Sequence, residues 1–213
     1  MNDTPSITLT GADERTDVSR LLRLRAEIGL LYTATPEGRN RYPRREWIAE
    51  IVPRLSRVAI HVCGSGARRE LRSGKLSDIV ANAQRIQVNG RLDALDVEDI
   101  CAQYYSHTII TQHRPDNARL LAVSASNHAV LIDASGGRGV SPESWEPPKT
   151  EKQVGYAGGL GPENIAAELE RIGQVASGFW WIDMEGKLRI DDWFSLDRAE
   201  QCVSCVEFGV KEK

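Results

Sequence analysis

VLIDASGGRG, residues 130–139, is the stretch on which the reading of this chain turns. An apolar run ends in one carboxylate, Asp133, and glycines follow at positions 136, 137 and 139. Asp and Gly are both poor strand residues, so a strand ends here. What matters is whether it merely ends, or ends at a reactive site.

Working outward, short apolar, β-branched or aromatic runs recur at 6–10, 27–33, 57–63, 85–89, 107–112, 128–133, 153–158 and 178–184. Each has the composition of a buried strand. Between them lie amphipathic stretches that predict helices over 17–26, 43–55, 66–74, 96–105, 117–126, 162–173 and 195–208. Asp96 precedes the helical spacing Val97, Ile100, Cys101, Tyr104, and Pro162 with Glu163 marks a first helical turn. Residues 134–152 are rich in Gly and Pro and predict a long loop, able to close over a ligand. Strands alternating with helices imply parallel pairing through right-handed crossovers. A doubly wound open sheet and a closed (β/α)8 barrel both satisfy this, and eight units favour the barrel.

The bulk composition excludes several classes. The chain has 213 residues, 41% hydrophobic and 27% charged, with a net charge of −3. That balance does not attract nucleic acid or an anionic membrane surface. No apolar run approaches the roughly 20 residues of a membrane span. The polar opening MNDTPSITLTGADERTD lacks the apolar core of a secretion signal, so a cytoplasmic protein is expected. Four cysteines are too few for a disulfide scaffold. Cys202 and Cys205 form a C-x-x-C with no second Cys or His pair near it, and they read as small apolar residues of a terminal helix. No metal-ligand spacing stands out, and no cofactor is implied. No lysine lies at an inner strand end, where Schiff-base chemistry would need one.

VLIDASGGRGVSPESW, VGYAGGLGPENI and WIDMEGKLRIDDW together resemble the last third of phosphoribosylanthranilate isomerase. The AGGLGPEN segment (157–164) is the most specific match, and Trp145 falls where the family has an aromatic residue after strand six. LTGADE (9–14), GLLYTATPEGRNRYPRRE (29–46) and RIQVNG (85–90) extend the likeness along nearly the whole chain. The resemblance implies a single TIM barrel over 1–213 and an Amadori-type isomerase, or a related lyase, with a small phosphorylated ligand.

In such barrels the reactive groups sit at the C-terminal strand ends. The resemblance makes Asp133 the general acid, which protonates a sugar ring oxygen. Gly158 and Gly159, before the helix of 162–173, and Gly186 after strand eight would receive phosphate through their backbone. Arg41 would hold a carboxylate with its planar fork of donors. Two departures stand out. The family's strand-one Cys, its base, is here Thr10, whose hydroxyl is too weak an acid to serve. The family's Asp-Val-Ser-Ser-Gly is here Asp183-Met184-Glu185-Gly186-Lys187, whose Glu repels phosphate while Lys187 offsets it.

Replacement bases are Glu185 at the end of strand eight and Cys63 at the end of strand three. His113, after strand five, is a further candidate. His61 and Cys63 share strand parity, so both face one side of the sheet, and a Cys–His pair can give an activated thiolate. Gln87 and Asn89 on strand four are expected ligand hydrogen-bonding groups. The expected reading is an isomerase-like enzyme with an altered base; the alternative is an accessory barrel that binds the ligand without turnover.

Overall fold

The structure is a computed structural model that describes residues 5–36, 39–113, 115–135 and 139–209. Eight parallel strands close into a barrel in sequence order. They are β1 (Ser6–Thr10), β2 (Glu27–Thr33), β3 (Val58–Cys63), β4 (Arg85–Val88), β5 (Thr108–His113), β6 (His128–Asp133), β7 (Val154–Ala157) and β8 (Trp180–Met184). Closure runs through β1 against β8, where Leu9 pairs with Met184. The open sheet is thereby excluded, and the fold is the (β/α)8 barrel.

Strand alternation explains the layers. Outward residues such as Leu9, Leu30, Ile60, Ile86, Ile109 and Ile182 are buried against the helices in one continuous core. Each such side chain contributes roughly 1.5–3 kcal/mol by leaving water. The helices that cover them are α1 (Val18–Leu21), α2 (Arg45–Ile51), α3 (Gly64–Arg72), α4 (Ser77–Val80), α5 (Ala94–Gln103), α6 (Ile165–Gly173) and α7 (Leu196–Gly209). Cys202 is buried and Cys205 half-buried on α7, as the apolar reading of that pair expects. No helix among the described residues is long and apolar enough to cross a membrane.

Several helical expectations need correction. The helix expected over 17–26 is only α1, because the chain must turn early to enter β2; isolated turns carry it there. Asp93, not Asp96, caps α5: its carboxylate accepts from the Asp96 backbone N–H at 2.7 Å. Pro162 and Glu163 form a turn before α6, which starts at Ile165. The expected helix over 117–126 is a kinked 3-10 segment (Pro115–Ala122). Asn117 breaks it by donating its side-chain amide to the Gln112 carbonyl at 2.7 Å, a local bond that competes with helix. After β8 the chain adds a short 3-10 turn (Gly186–Leu188) and a hairpin, β9 (Arg189–Ile190) and β10 (Trp193–Phe194). Its two-residue turn, Asp191-Asp192, has φ of 50° and 62°, the left-handed pair a tight hairpin requires.

The β6–β7 connection holds no helix among its described residues. It is nevertheless tied down. Trp145 Nε1 donates to Glu168 Oε2 at 2.7 Å, and Arg171 joins the same carboxylate at 3.0 Å while reaching the Pro142 and Glu143 carbonyls. Nearer the mouth, Asn164 Nδ2 donates to Ser141 Oγ and to the Gly159 carbonyl, both at 2.9 Å. The described part is therefore a latched segment rather than a free lid. Gly136, Gly137 and Arg138 lie outside the described residues.

Candidate active site

The barrel interior is split by chemistry. On the β5–β8 side Ile110, Ala129, Leu131 and Trp181 pack as an apolar cluster. On the β1–β4 side the inward positions include the polar Thr8, Thr10, Glu27, His61, Arg85 and Gln87. Glu27 accepts from Thr8 Oγ1 at 2.8 Å and pairs with Arg85 at 2.9 Å, and the Arg85 guanidinium lies 3.9 Å over the Trp181 ring. Gly155 is what admits Trp181, since a Cβ there would overlap the indole.

Above this floor a directed chain of polar groups crosses the barrel. Gln87 donates to His61 Nδ1 at 3.1 Å, which leaves the proton on Nε2. His61 Nε2 faces Thr10 Oγ1 at 3.5 Å, and Thr10 donates to Asp183 Oδ1 at 2.6 Å. Burial pushes His61 down to about 4, so its ring is neutral at neutral pH. Burial pushes Asp183 up to about 6, against the Thr10 hydrogen bond and the Arg85 charge, which lower it. Thr10 thus holds Asp183 in place and is itself no base.

A cavity of about 130 Å³ opens at the C-terminal mouth. Of the residues expected at the site, Arg41, His61, Gln87, Asn89, Asp133, Gly158, Gly159, Glu185 and Gly186 all line it. Asp133 Oδ1 accepts from the Ser135 N–H at 3.1 Å and from Ser135 Oγ at 2.8 Å, so one oxygen shapes the turn after β6. Arg41 Nη1 donates to Glu185 Oε1 at 3.2 Å. Burial raises the Glu185 carboxyl, with Arg189 and Arg41 pulling it back.

Cys63 stands apart from the lining. Its thiol donates to the His61 carbonyl at 3.5 Å rather than to the ring, and accepts from Asn89 Nδ2 at 3.3 Å. Burial pushes it up to about 11, which keeps it a thiol. The pair expected from shared parity therefore has no thiolate–imidazole geometry. His113 ends β5 with Nδ1 buried and without a hydrogen-bond partner among the described residues, and it is not part of the lining. Asp183 is the group sequence reasoning passed over. Its signal was present: it shares inward parity with Glu185, two residues on. Among the described residues no group of three or more His, Cys, Asp or Glu is arranged to hold a metal ion.

The cavity is small for its position, since sites for drug-sized ligands usually run to 300–1,000 Å³. The latch explains this. Gly159 lies so close to Val140 and Ser141 that a Cβ would overlap their backbone.

The Asp183 shift carries a pH prediction. A carboxyl raised in the folded state loses stability as pH climbs from about 4 to about 6, while the lowered His61 and His128 gain it over the same window. Asp183→Asn removes only the falling part. Its stability relative to the parent should grow between pH 4 and 6 and then level off, by roughly 2 kcal/mol, read from urea unfolding at each pH. A difference constant across that range would refute the buried-anion account.

Fold and cavity together define a (β/α)8 barrel with a polar, carboxylate-rich pocket at the strands' C-terminal ends. Solved structures similar to it include phosphoribosylanthranilate isomerases. The structure titled TrpF from Jonesia denitrificans superposes with a TM-score of 0.72 at 14% identity, covering 98% of this chain and 100% of that one. Phosphoribosyl anthranilate isomerase from Thermus thermophilus gives 0.68 at 18% identity, covering 95% and 98%. N-(5'-phosphoribosyl)anthranilate isomerase from Pyrococcus furiosus gives 0.65 at 15%, covering 96% and 99%. At these identities the likeness is one of fold. No protein-family model and no curated protein matches the chain.

Proposed function

We propose that this barrel is an acid–base isomerase for a small phosphorylated, carboxylate-bearing, sugar-like ligand. The observation that carries the reading is the convergence of Asp133, Asp183 and Glu185 on one cavity that Arg41 and Lys187 also line. Asp133 protonates the sugar ring oxygen, using the carboxylate oxygen not engaged by Ser135, and the ring opens. Glu185 then removes the proton from the adjacent carbon, a task suited to a carboxylate whose basicity burial raises. Asp183, beneath them, shares the negative charge and sets the pH range. Gly158, Gly159 and Gly186 offer backbone N–H groups to a phosphate, and Lys187 supplies the cation beside them.

Turnover of phosphoribosylanthranilate by the full chain is the test. Asp133→Asn and Glu185→Gln should each cut it by about 10²–10⁴. Unchanged rates in both variants would remove the assigned roles. The second reading, a barrel that binds without turnover, is favoured by the engagement of Thr10 with Asp183 at the strand-one end. Saturable binding by a parent chain that shows no turnover would select it.

A further inference from the structure

Arg41 presents a guanidinium whose two edges are held differently. Nε and Nη2 both donate to Asp192 Oδ1, at 3.1 and 2.8 Å. Nη1 donates to Glu185 Oε1 at 3.2 Å. The Asp192 edge is held by two bonds. Asp192 sits at the left-handed tip of the β9–β10 hairpin, and its carbonyl accepts from Arg189 Nη1 at 2.9 Å. The hairpin is pinned beneath by Asp13 Oδ2, which accepts from the Phe194 N–H at 2.8 Å, and by Arg15 stacked 3.7 Å from the Trp193 ring centre.

The Glu185 edge is held by that single bond. The same Oε1 lies 3.7 Å from Arg189 Nε, beyond hydrogen-bond distance. That Nε is buried and has no hydrogen-bond partner among the described residues, on a side chain only 4% exposed. A buried donor without an acceptor is costly, so a second, nearby position for Glu185 is already prepared. Gly11 keeps Arg189 there: a Cβ at Gly11 would occupy the guanidinium's place, and Arg189 Nη2 donates to the Gly11 carbonyl at 3.3 Å.

We propose that Glu185 passes from Arg41 to Arg189 when a ligand carboxylate binds, so that Arg189 is the positioning residue that frees Arg41. This rests on the reading above that Arg41 takes a ligand carboxylate. After the exchange Asp192 keeps Nε and Nη2, the ligand takes Nη1, and Glu185 satisfies Arg189 Nε. Every carboxylate then has a guanidinium, and no buried charge is stranded. Without Arg189, a ligand carboxylate at Arg41 leaves Glu185 unpaired at a half-buried position.

A double-mutant cycle on the full chain tests this, with anthranilate and, separately, inorganic phosphate titrated by calorimetry. Arg189→Gln endangers the fold, because Arg189 also bonds two backbone carbonyls. Arg189→Lys keeps the charge and stem but has no Nε, and is the working variant. It should weaken anthranilate binding about tenfold in the parent and leave phosphate affinity unchanged, since only the carboxylate edge is disturbed. In a Glu185→Gln background, where no anion needs rehousing, it should have no effect on anthranilate. Equal loss in both backgrounds, loss of phosphate in step, or no loss in either would overturn the exchange while leaving the carboxylate site standing. No anthranilate binding in any variant would overturn the carboxylate site and the exchange with it.

Discussion

Arg85→Met is expected to cost about 3–5 kcal/mol, because it strands a buried anion. Glu27 is 2% exposed and keeps only the Thr8 hydroxyl once the 2.9 Å pair with Arg85 is gone. The lost stacking on Trp181 adds to this. The pair itself is worth much less than its breakage, since burying both charges already costs several kcal/mol in desolvation. The double variant Glu27→Gln/Arg85→Met should therefore recover most of the loss. Chemical unfolding of the three variants measures it, and additive losses would show that no charge was stranded. The site feels the same change: Arg85 is among the charges that hold Asp183 down, so Arg85→Met should move the Asp183 titration upward.

Gly159→Ala should be the second large effect, at about 2–4 kcal/mol, from a left-handed backbone combined with overlap on a neighbouring main chain. Gly159 has φ +61°, and its missing side chain is where the Val140–Ser141 backbone lies. Backbone cannot swing aside as a flexible side chain can, so the segment must lift and lose the bond from Ser141 Oγ to the Gly159 carbonyl and the bond from Asn164 Nδ2 to Ser141 Oγ. The expected signature is a lowered Tm together with proteolytic nicking within 139–144, the outer Trp145–Glu168 anchor remaining. Nicking no faster than in the parent would refute the latch. This reading changes what the Gly-Gly after β7 is for: at least one of the two glycines serves a close main-chain approach, whatever else its N–H group meets.

Much of the barrel was legible in the chain. All eight strands stand close to where apolar, β-branched runs place them, because a parallel strand buried on both faces must be apolar almost throughout. Asp133, Arg41 and Glu185 were legible as strand-end or loop groups, and all three line the cavity. What failed was short-range: α1, the 117–126 segment and the starts of α5 and α6 depended on single capping side chains and on where the next strand begins. The Cys63–His61 pair failed for a similar reason. Parity tells which face a side chain takes but not which atom of its neighbour it meets.

By itself, then, the sequence determined the alternation that forces parallel pairing, and with it which residues stand at the C-terminal strand ends. The tertiary structure alone decided how those residues are charged and paired. Thr10 meets Asp183 across 173 positions of chain, and Arg41 meets Glu185 and Asp192 across 144 and 151. Hydrophobic pattern is a property of neighbours along the chain and can be read locally. Desolvation and ion pairing depend on groups that only the closed barrel brings within a few ångströms, so the character of the site exists only once the barrel has closed.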